Sequence, residues 1–284
     1  MLTRLNEVTA ACLFAVARRW RRHRDPLQAW ARARRRASGL EDDPRTLARY
    51  PSWAQGTRSS QRINELLAIV GGDRYLEIGV EAGYTLEGVR ARVRIAVEPR
   101  PRFRVDRLPS GVTLHPMPSD RFFDTTPPTS DLNGAFIDGL HEHRQTYRDL
   151  VATLERLLPG GFILLDDVVP IDEAAGLPSE EEFLKARART DSSSGAWMGD
   201  VWRVVIALNR CHGANLDWRT VTARNGRMQT LIWRRPGVAF SEADPSALAA
   251  LSDVAYDDVF ASGIPPAFRP AAWSDAVSAF ITSR

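Results

Sequence analysis

The chain has 284 residues, 44% hydrophobic and 26% charged, the balance of a globular protein with one large domain or a domain with extensions, and not of a disordered or fibrous chain. No apolar run approaches the ~18 residues a membrane span needs, and Cys12 and Cys211 have no metal-ligand spacing and fit a reducing, cytoplasmic setting. The net charge of +3 is uneven: residues 1–60 hold 13 Arg against five acidic residues and carry +8, so residues 61–284 carry −5 and the high isoelectric point is no argument that the body binds nucleic acid.

Apolar Leu13, Phe14, Val16 and Trp20, with Arg18, Arg19, Arg21, Arg22 and Arg24, predict a basic helical extension over residues 1–36, broken at Pro26. Its arginines follow the apolar stretch, the wrong polarity for a secretory signal. Such an extension packs on the body or on a second subunit in a homodimer, or makes weak contact with an anionic membrane surface. Residues 37–58, with Ser38-Gly39, Asp43-Pro44 and Pro51-Ser52, read as a linker. The period Ile63, Leu66, Leu67, Val70, closed by Gly71-Gly72, predicts a helix over 59–70.

From there strand and helix alternate. Strands are expected near 74–79, 94–98, 112–115, 133–138 and 161–166, and helices near 83–91 and 144–158, with Pro159-Gly160-Gly161 as a sharp helix-to-strand turn. A crossover follows over 168–197 with a short helix near 179–189, then a helix over 201–209. An antiparallel hairpin of 219–223 and 228–233 turns at Asn225-Gly226. The pattern predicts an α/β, Rossmann-like, doubly wound and mostly parallel seven-stranded sheet. The chain divides into the extension and linker (1–58), the main domain (59–240) and an Ala-rich, acidic tail packing on it (241–284).

The first strand ends in Tyr75-Leu76-Glu77-Ile78-Gly79-Val80-Glu81-Ala82-Gly83. Small residues at such a strand-to-helix turn let the backbone approach a ligand closely. The spacing Glu-x-Gly-x-x-x-Gly differs from the Gly-x-Gly-x-x-Gly of dinucleotide-binding folds. It resembles motif I of the class I S-adenosylmethionine (SAM) dependent methyltransferases. That resemblance implies that Glu77, Gly79 and Gly83 shape the methionyl side of SAM, with Tyr84 and Thr85 contacting it. Glu98 ends the second strand about ~20 residues after Gly79, the separation at which an acid accepts from a ribose diol; the plainer reading is a surface glutamate. After the third strand, Ser119 and Asp120 stand where the resembled enzymes carry residues facing the adenine, and where an Asx-type turn would equally cap a helix.

Ala135-Phe136-Ile137-Asp138-Gly139-Leu140-His141 and Phe162-Ile163-Leu164-Leu165-Asp166-Asp167 deliver three carboxylates to the ends of neighbouring strands. Crowded like charges raise one another's pKa, and a hard divalent cation such as Mg²⁺ relieves the repulsion. Alternatively, Asp138 bonds backbone donors and Asp166-Asp167 cap a loop. Phe-Ile-Asp-Gly-Leu-His, Tyr-Arg-Asp, Leu-Pro-Gly-Gly, Leu-Asp-Asp and Gly199-Asp200-Val201-Trp202-Arg203 resemble a bacterial small-molecule, O-methyltransferase-like group over roughly residues 60–235. The resemblance to its metal-dependent members implies metal ligation by Asp138, Asp166 and Asp167. His141 is a candidate general base, since a free imidazole titrates near ~6.5; otherwise it orients its loop. His143 is the weaker candidate. Trp197, Met198, Asp200, Trp202 and Arg203 either line an acceptor pocket or pack the last crossover helix.

The function this implies is SAM-dependent methyl transfer to a hydroxyl of a sugar, natural product or phenol, assisted by a divalent ion. Non-catalytic SAM binding and methylation at nitrogen or carbon are the alternatives. The absence of Gly-x-Gly-x-x-Gly and of a Tyr-x-x-x-Lys pair argues against a nicotinamide-dependent sugar enzyme.

Overall fold

Thr57 opens a helix in the computed structural model, which describes residues 57–103, 105–189, 196–221 and 228–284. The Thr57 hydroxyl accepts from the Ser60 N–H at 3.1 Å and caps α1 (Arg58–Val70), which Gly71 ends in the left-handed conformation. Ile63, Leu66 and Leu67 form its buried stripe. The expected extension over 1–36 and the linker up to residue 56 lie outside the described residues.

The core elements follow in alternation: β1 (Arg74–Ile78), α2 (Tyr84–Gly88), β2 (Val93–Val97), β3 (Val112–His115), α3 (Ser119–Thr125), β4 (Leu132–Ile137), α4 (His143–Arg156) and β5 (Leu157–Leu165). After the crossover, with α5 (Glu180–Arg187), come α6 (Trp202–Cys211), β6 (Leu216–Val221) and β7 (Gln229–Arg234). With a last, two-residue strand β8 (Pro270–Ala271), the sheet order is β3-β2-β1-β4-β5-β7-β6-β8, parallel from β3 to β5, with β7 antiparallel to both β5 and β6. This is the mostly parallel sheet with a C-terminal antiparallel pair that the alternation predicts. It gains β8 as an eighth strand, whose residues come from the tail and pair with Thr220 and Val221 of β6. The hairpin turn at Asn225-Gly226 lies outside the described residues.

The sheet is buried on both faces, which is why its central strands read as apolar runs. On β5, Phe162 and Leu164 face one core with Tyr75, Ala96, Phe136 and the apolar stripe of α1. Ile163 and Leu165 face the other with Leu76, Ile137, and Leu150 and Leu154 of α4 and Val205 and Leu208 of α6. The tail supplies α7 (Pro245–Ala249), α8 (Tyr256–Phe260) and α9 (Trp273–Thr282). α9 closes the first core: Phe280 packs edge-on against Phe162 and Trp233 at 6.3 and 5.5 Å between ring centroids.

One expected boundary moves. β5 begins at Leu157, directly after α4, and Pro159-Gly160-Gly161 lies inside it and not in a turn. Leu157 pairs with Leu132, and the register then shifts before Gly134 meets Phe162. A proline is tolerated in a strand at such an irregularity, so a triplet with turn composition serves here as a bulge. Among the described residues no helix is long and apolar enough to cross a membrane.

Candidate active site

The carboxyl ends of β1, β4 and β5 are laced together by their first non-strand residues. Asp138 N–H donates to the Ile78 carbonyl at 2.8 Å, and Asp166 N–H to the Ile137 carbonyl at 3.0 Å. Gly79, at φ 82°, turns the chain out of β1 against this seam, where a Cβ would stand 1.9 Å from the Asp138 carbonyl oxygen. Only glycine fits so close a crossing. Two non-glycine residues at this edge also have positive φ, Glu81 at 44° and Asp167 at 56°, a conformation that gathers at functional sites.

Glu77 lies beneath the glycine turn, 1% exposed, with its Oε2 accepting from the Tyr75 hydroxyl at 2.7 Å. Burial pushes its carboxyl up to about 8; the Tyr75 bond opposes the shift and the Asp138 charge adds to it. Glu98 ends β2 as the motif reading expects, and its two oxygens hold the neighbouring turns. Oε2 accepts from Glu81 N–H and Oε1 from Arg100 N–H, each at 2.8 Å. Each carboxylate oxygen has a second acceptor position, so the ribose role is compatible with this contact. Tyr84 and Thr85 form the first turn of α2, and the Thr85 hydroxyl lies 3.3 Å from that of Thr57, bringing the start of α1 to the same edge.

Ser119 and Asp120 open α3 and face α4. Gln145 Nε2 donates to Ser119 Oγ, Asp120 Oδ1 and Asp149 Oδ1 at 3.1, 2.8 and 3.0 Å. Burial pushes the Asp149 carboxyl up to about 6, against hydrogen bonds from Ser119 and Gln145. Sequence reasoning assigned no role to Gln145 or Asp149. The signal was present in their i, i+4 spacing on a helix whose other face is apolar, and Asp149 belongs to the Tyr-Arg-Asp segment already noted.

The structure brings Asp138, His141 and Asp167 together. His141 Nε2 lies 3.2 Å from Asp138 Oδ1 and 3.6 Å from Asp167 Oδ2, and one donor atom from each of the three falls within 4.8 Å of the others. Asp166, expected beside Asp138 and Asp167, is outside this trio. Its Oδ1 accepts from Asp167 N–H at 3.0 Å, and its charge acts on Arg62 of α1. Consecutive side chains leave a strand end in opposite directions, so the imidazole takes the place expected of the middle carboxylate. His141 Nδ1 is buried without a hydrogen-bond partner among the described residues. Burial opposes an imidazolium there, but the bond to Asp138 and the charges of Asp167, Asp138 and Asp166 outweigh it and hold the pKa up to about 9.

Of the five residues weighed as acceptor lining, Trp197 stands beside His141, 5.4 Å between ring centroids. Met198 and Trp202 are buried, Trp202 against Tyr256 and Phe260. Arg203 donates to the carbonyls of Leu251 and Val254 at 2.7 and 2.8 Å and so fastens the tail. Asp200 bonds the ring of His143, Nδ1 to Oδ2 at 2.7 Å. Core packing therefore accounts for Met198 and Trp202, and fastening of neighbouring segments for Asp200 and Arg203.

Residues 76–168 match the family model of a methyltransferase domain. The matched stretch runs from β1 through the loop after β5 and so contains the Gly79 turn and the Asp138–His141–Asp167 group. Among solved structures it is similar to the O-methyltransferase TomG from Streptomyces achromogenes, involved in tomaymycin synthesis and solved with SAM: 15% identity, 74% of this chain and 89% of that chain covered, TM-score 0.42. It is also similar to an O-methyltransferase from Bacillus cereus solved with S-adenosylhomocysteine (SAH), at 15% identity over 72% of this chain and 98% of that chain, TM-score 0.42. No curated protein matches the chain.

Proposed function

We propose that this protein transfers the methyl group of SAM to a hydroxyl of a small molecule such as a sugar, natural product or phenol. The observation that carries the reading is the junction at one sheet edge of the Gly79 crossing with the Asp138–His141–Asp167 group. SAM brings a methyl group already activated on a sulfonium. The protein's task is then to hold an acceptor oxygen in line with it. Glu77, Gly79, Gly83, Tyr84 and Thr85 shape the methionyl side, Glu98 holds the ribose, and Ser119 and Asp120 meet the adenine. On the same reading the protein works in a reducing, cytoplasmic setting, which Cys12 and Cys211, without metal-ligand spacing, fit.

Two carboxylates converge beside an imidazole in this group, and a divalent cation suits them. Asp138 and Asp167 would hold it through oxygens that suit Mg²⁺ or Mn²⁺, which leaves His141 Nε2 to the acceptor hydroxyl. Bound there, the ion would lower the pKa of an acceptor hydroxyl. His141 Nε2 is the atom that takes the hydroxyl proton, for which it must first be neutral.

Titration calorimetry with SAM and with NAD⁺ tests the donor: heat from SAM alone is expected, and heat from NAD⁺ alone would overturn the reading. Transfer of a labelled methyl group to a panel of catechol, a methyl glycoside and a phenolic acid tests the chemistry. Asp138→Ala should abolish it, and near wild-type turnover would remove Asp138 from the mechanism. Loss of activity in EDTA, restored by Mg²⁺ or Mn²⁺, is the expected result for the cation.

A further inference from the structure

His141 rests on a seat made by Trp197, Gly199 and Asp200. Trp197 packs beside the imidazole, its own ring fixed by an Nε1–H bond to the Leu177 carbonyl at 2.7 Å. Gly199, at φ 68°, lies so close beneath His141 that a Cβ would stand 1.7 Å from the His141 carbonyl oxygen and 2.5 Å from its Cβ. Asp200 N–H donates to that same carbonyl at 3.2 Å. The Asp200 carboxylate then accepts from His143 N–H through Oδ1 and from His143 Nδ1 through Oδ2, both at 2.7 Å, with Arg203 Nη1 at 3.2 Å completing its partners.

These contacts fix a short loop at both ends. Its first residue, Asp138, hangs from Ile78 by its N–H. Its last, His143, begins α4, whose free N–H groups need acceptors. Glu142 supplies them for Arg144 and Gln145 at 3.1 and 2.9 Å, and Asp200 supplies the one for His143. His141 stands between the two fixed points. Asp200 is 2% exposed, so its hydrogen bonds do not compete with water, and removing one leaves a buried donor unsatisfied.

We propose that Asp200 is a positioning residue: it sets the His141 imidazole against Asp138 and Asp167 by holding the β4–α4 loop from below. The proposal rests on the methyl-transfer reading, since it gives His141 its task. Asn at 200 offers one accepting oxygen where Asp offers two: with that oxygen on His143 N–H, its NH2 faces Arg203 Nη1 and meets His143 Nδ1 only if the ring gives up its proton there, so the charged acceptor for both is lost. Glu keeps both oxygens on a longer arm.

The test compares wild type, Asp200→Asn and Asp200→Glu with Phe280→Ala, which disturbs the core on the sheet face opposite α4. Turnover is read on the hydroxyl panel, SAH affinity by calorimetry and loop order by hydrogen exchange of the 139–145 segment. Asp200→Asn should lower kcat by roughly 100-fold, the cost of about an ångström of misplacement, while the SAH Kd stays within about two-fold and exchange at 139–145 rises. Asp200→Glu should recover part of the rate, and Phe280→Ala should lower the melting temperature without raising exchange at 139–145. Unchanged kcat in Asp200→Asn, or unchanged exchange, overturns the proposal. If Asp200→Asn does not fold, Asp200→Glu carries the same two readouts. Failure of the methyl-transfer reading looks different: wild type then neither binds SAH nor transfers methyl, while the exchange comparison still reports whether Asp200 holds the loop.

Discussion

A base must lose its proton before it can accept another, and His141 holds its own up to about 9. At pH 7 about one part in a hundred is then neutral. In the metal-free protein the His141 ring should therefore titrate near 9 by NMR, and titration at an ordinary ~6.5 would mean that Asp138 and Asp167 do not hold its proton. Glu77 makes a prediction on stability. Its carboxyl is raised from 4.5 to about 8, so between those values the folded state keeps a proton that the unfolded chain has released. Unfolding free energy contributed by this residue must fall as pH rises through that window. Glu77→Gln removes the dependence, so urea midpoints should show the variant gaining on wild type from pH 5 to 8; parallel curves would sink the assignment. His141 runs with a different window: its raised pKa adds stability that is complete below 6.5 and lost as pH passes 9.

Elements were legible to the degree that their own residues decide them. β1, β4 and β5 announced themselves as apolar runs ending in acids, because a parallel strand buried on both faces admits little else. α1 was legible from a 3.6-residue period closed by glycine. Pro159-Gly160-Gly161 misled because composition says turn or bulge equally well, and only the partner strand chooses. β8 is two residues long, too short for any periodicity, and pairs because the tail is brought past β6. The same holds for α9, whose amphipathic stripe finds its partners, Phe162 and Trp233, far upstream. Phe280 fills that gap and is fully buried. Phe280→Ala should cost about 3–5 kcal/mol, the range for deleting a core aromatic, measured by denaturant unfolding. A loss below about 1 kcal/mol would mean that α9 is an ornament on the sheet and not part of its cover.

Across the whole molecule, the candidate site divides along the same line. The carboxylates at strand ends could be read locally; the contacts that position them could not. His143 meets Asp200 across 57 residues, and Arg62 meets Gln229 across 167, distances at which a single sequence carries no pairing signal. Charge is the opposite case, legible without structure. Residues 1–36 hold ten Arg against Glu7 and Asp25, so the +8 of the first sixty residues comes from them, and removing them takes the chain from +3 to −5. The described residues already form apolar cores on both sheet faces, which is what a cooperative fold requires. Deleting residues 1–36 should leave SAH affinity and turnover of a soluble acceptor within about two-fold. If the basic extension touches anionic membranes, the same deletion should abolish sedimentation with phosphatidylserine vesicles, since each surface arginine is worth about 1 kcal/mol there and an acidic body is repelled. Loss of cooperative unfolding on deletion would instead make the extension part of the core, and equal vesicle binding by both forms would place any membrane contact on the body.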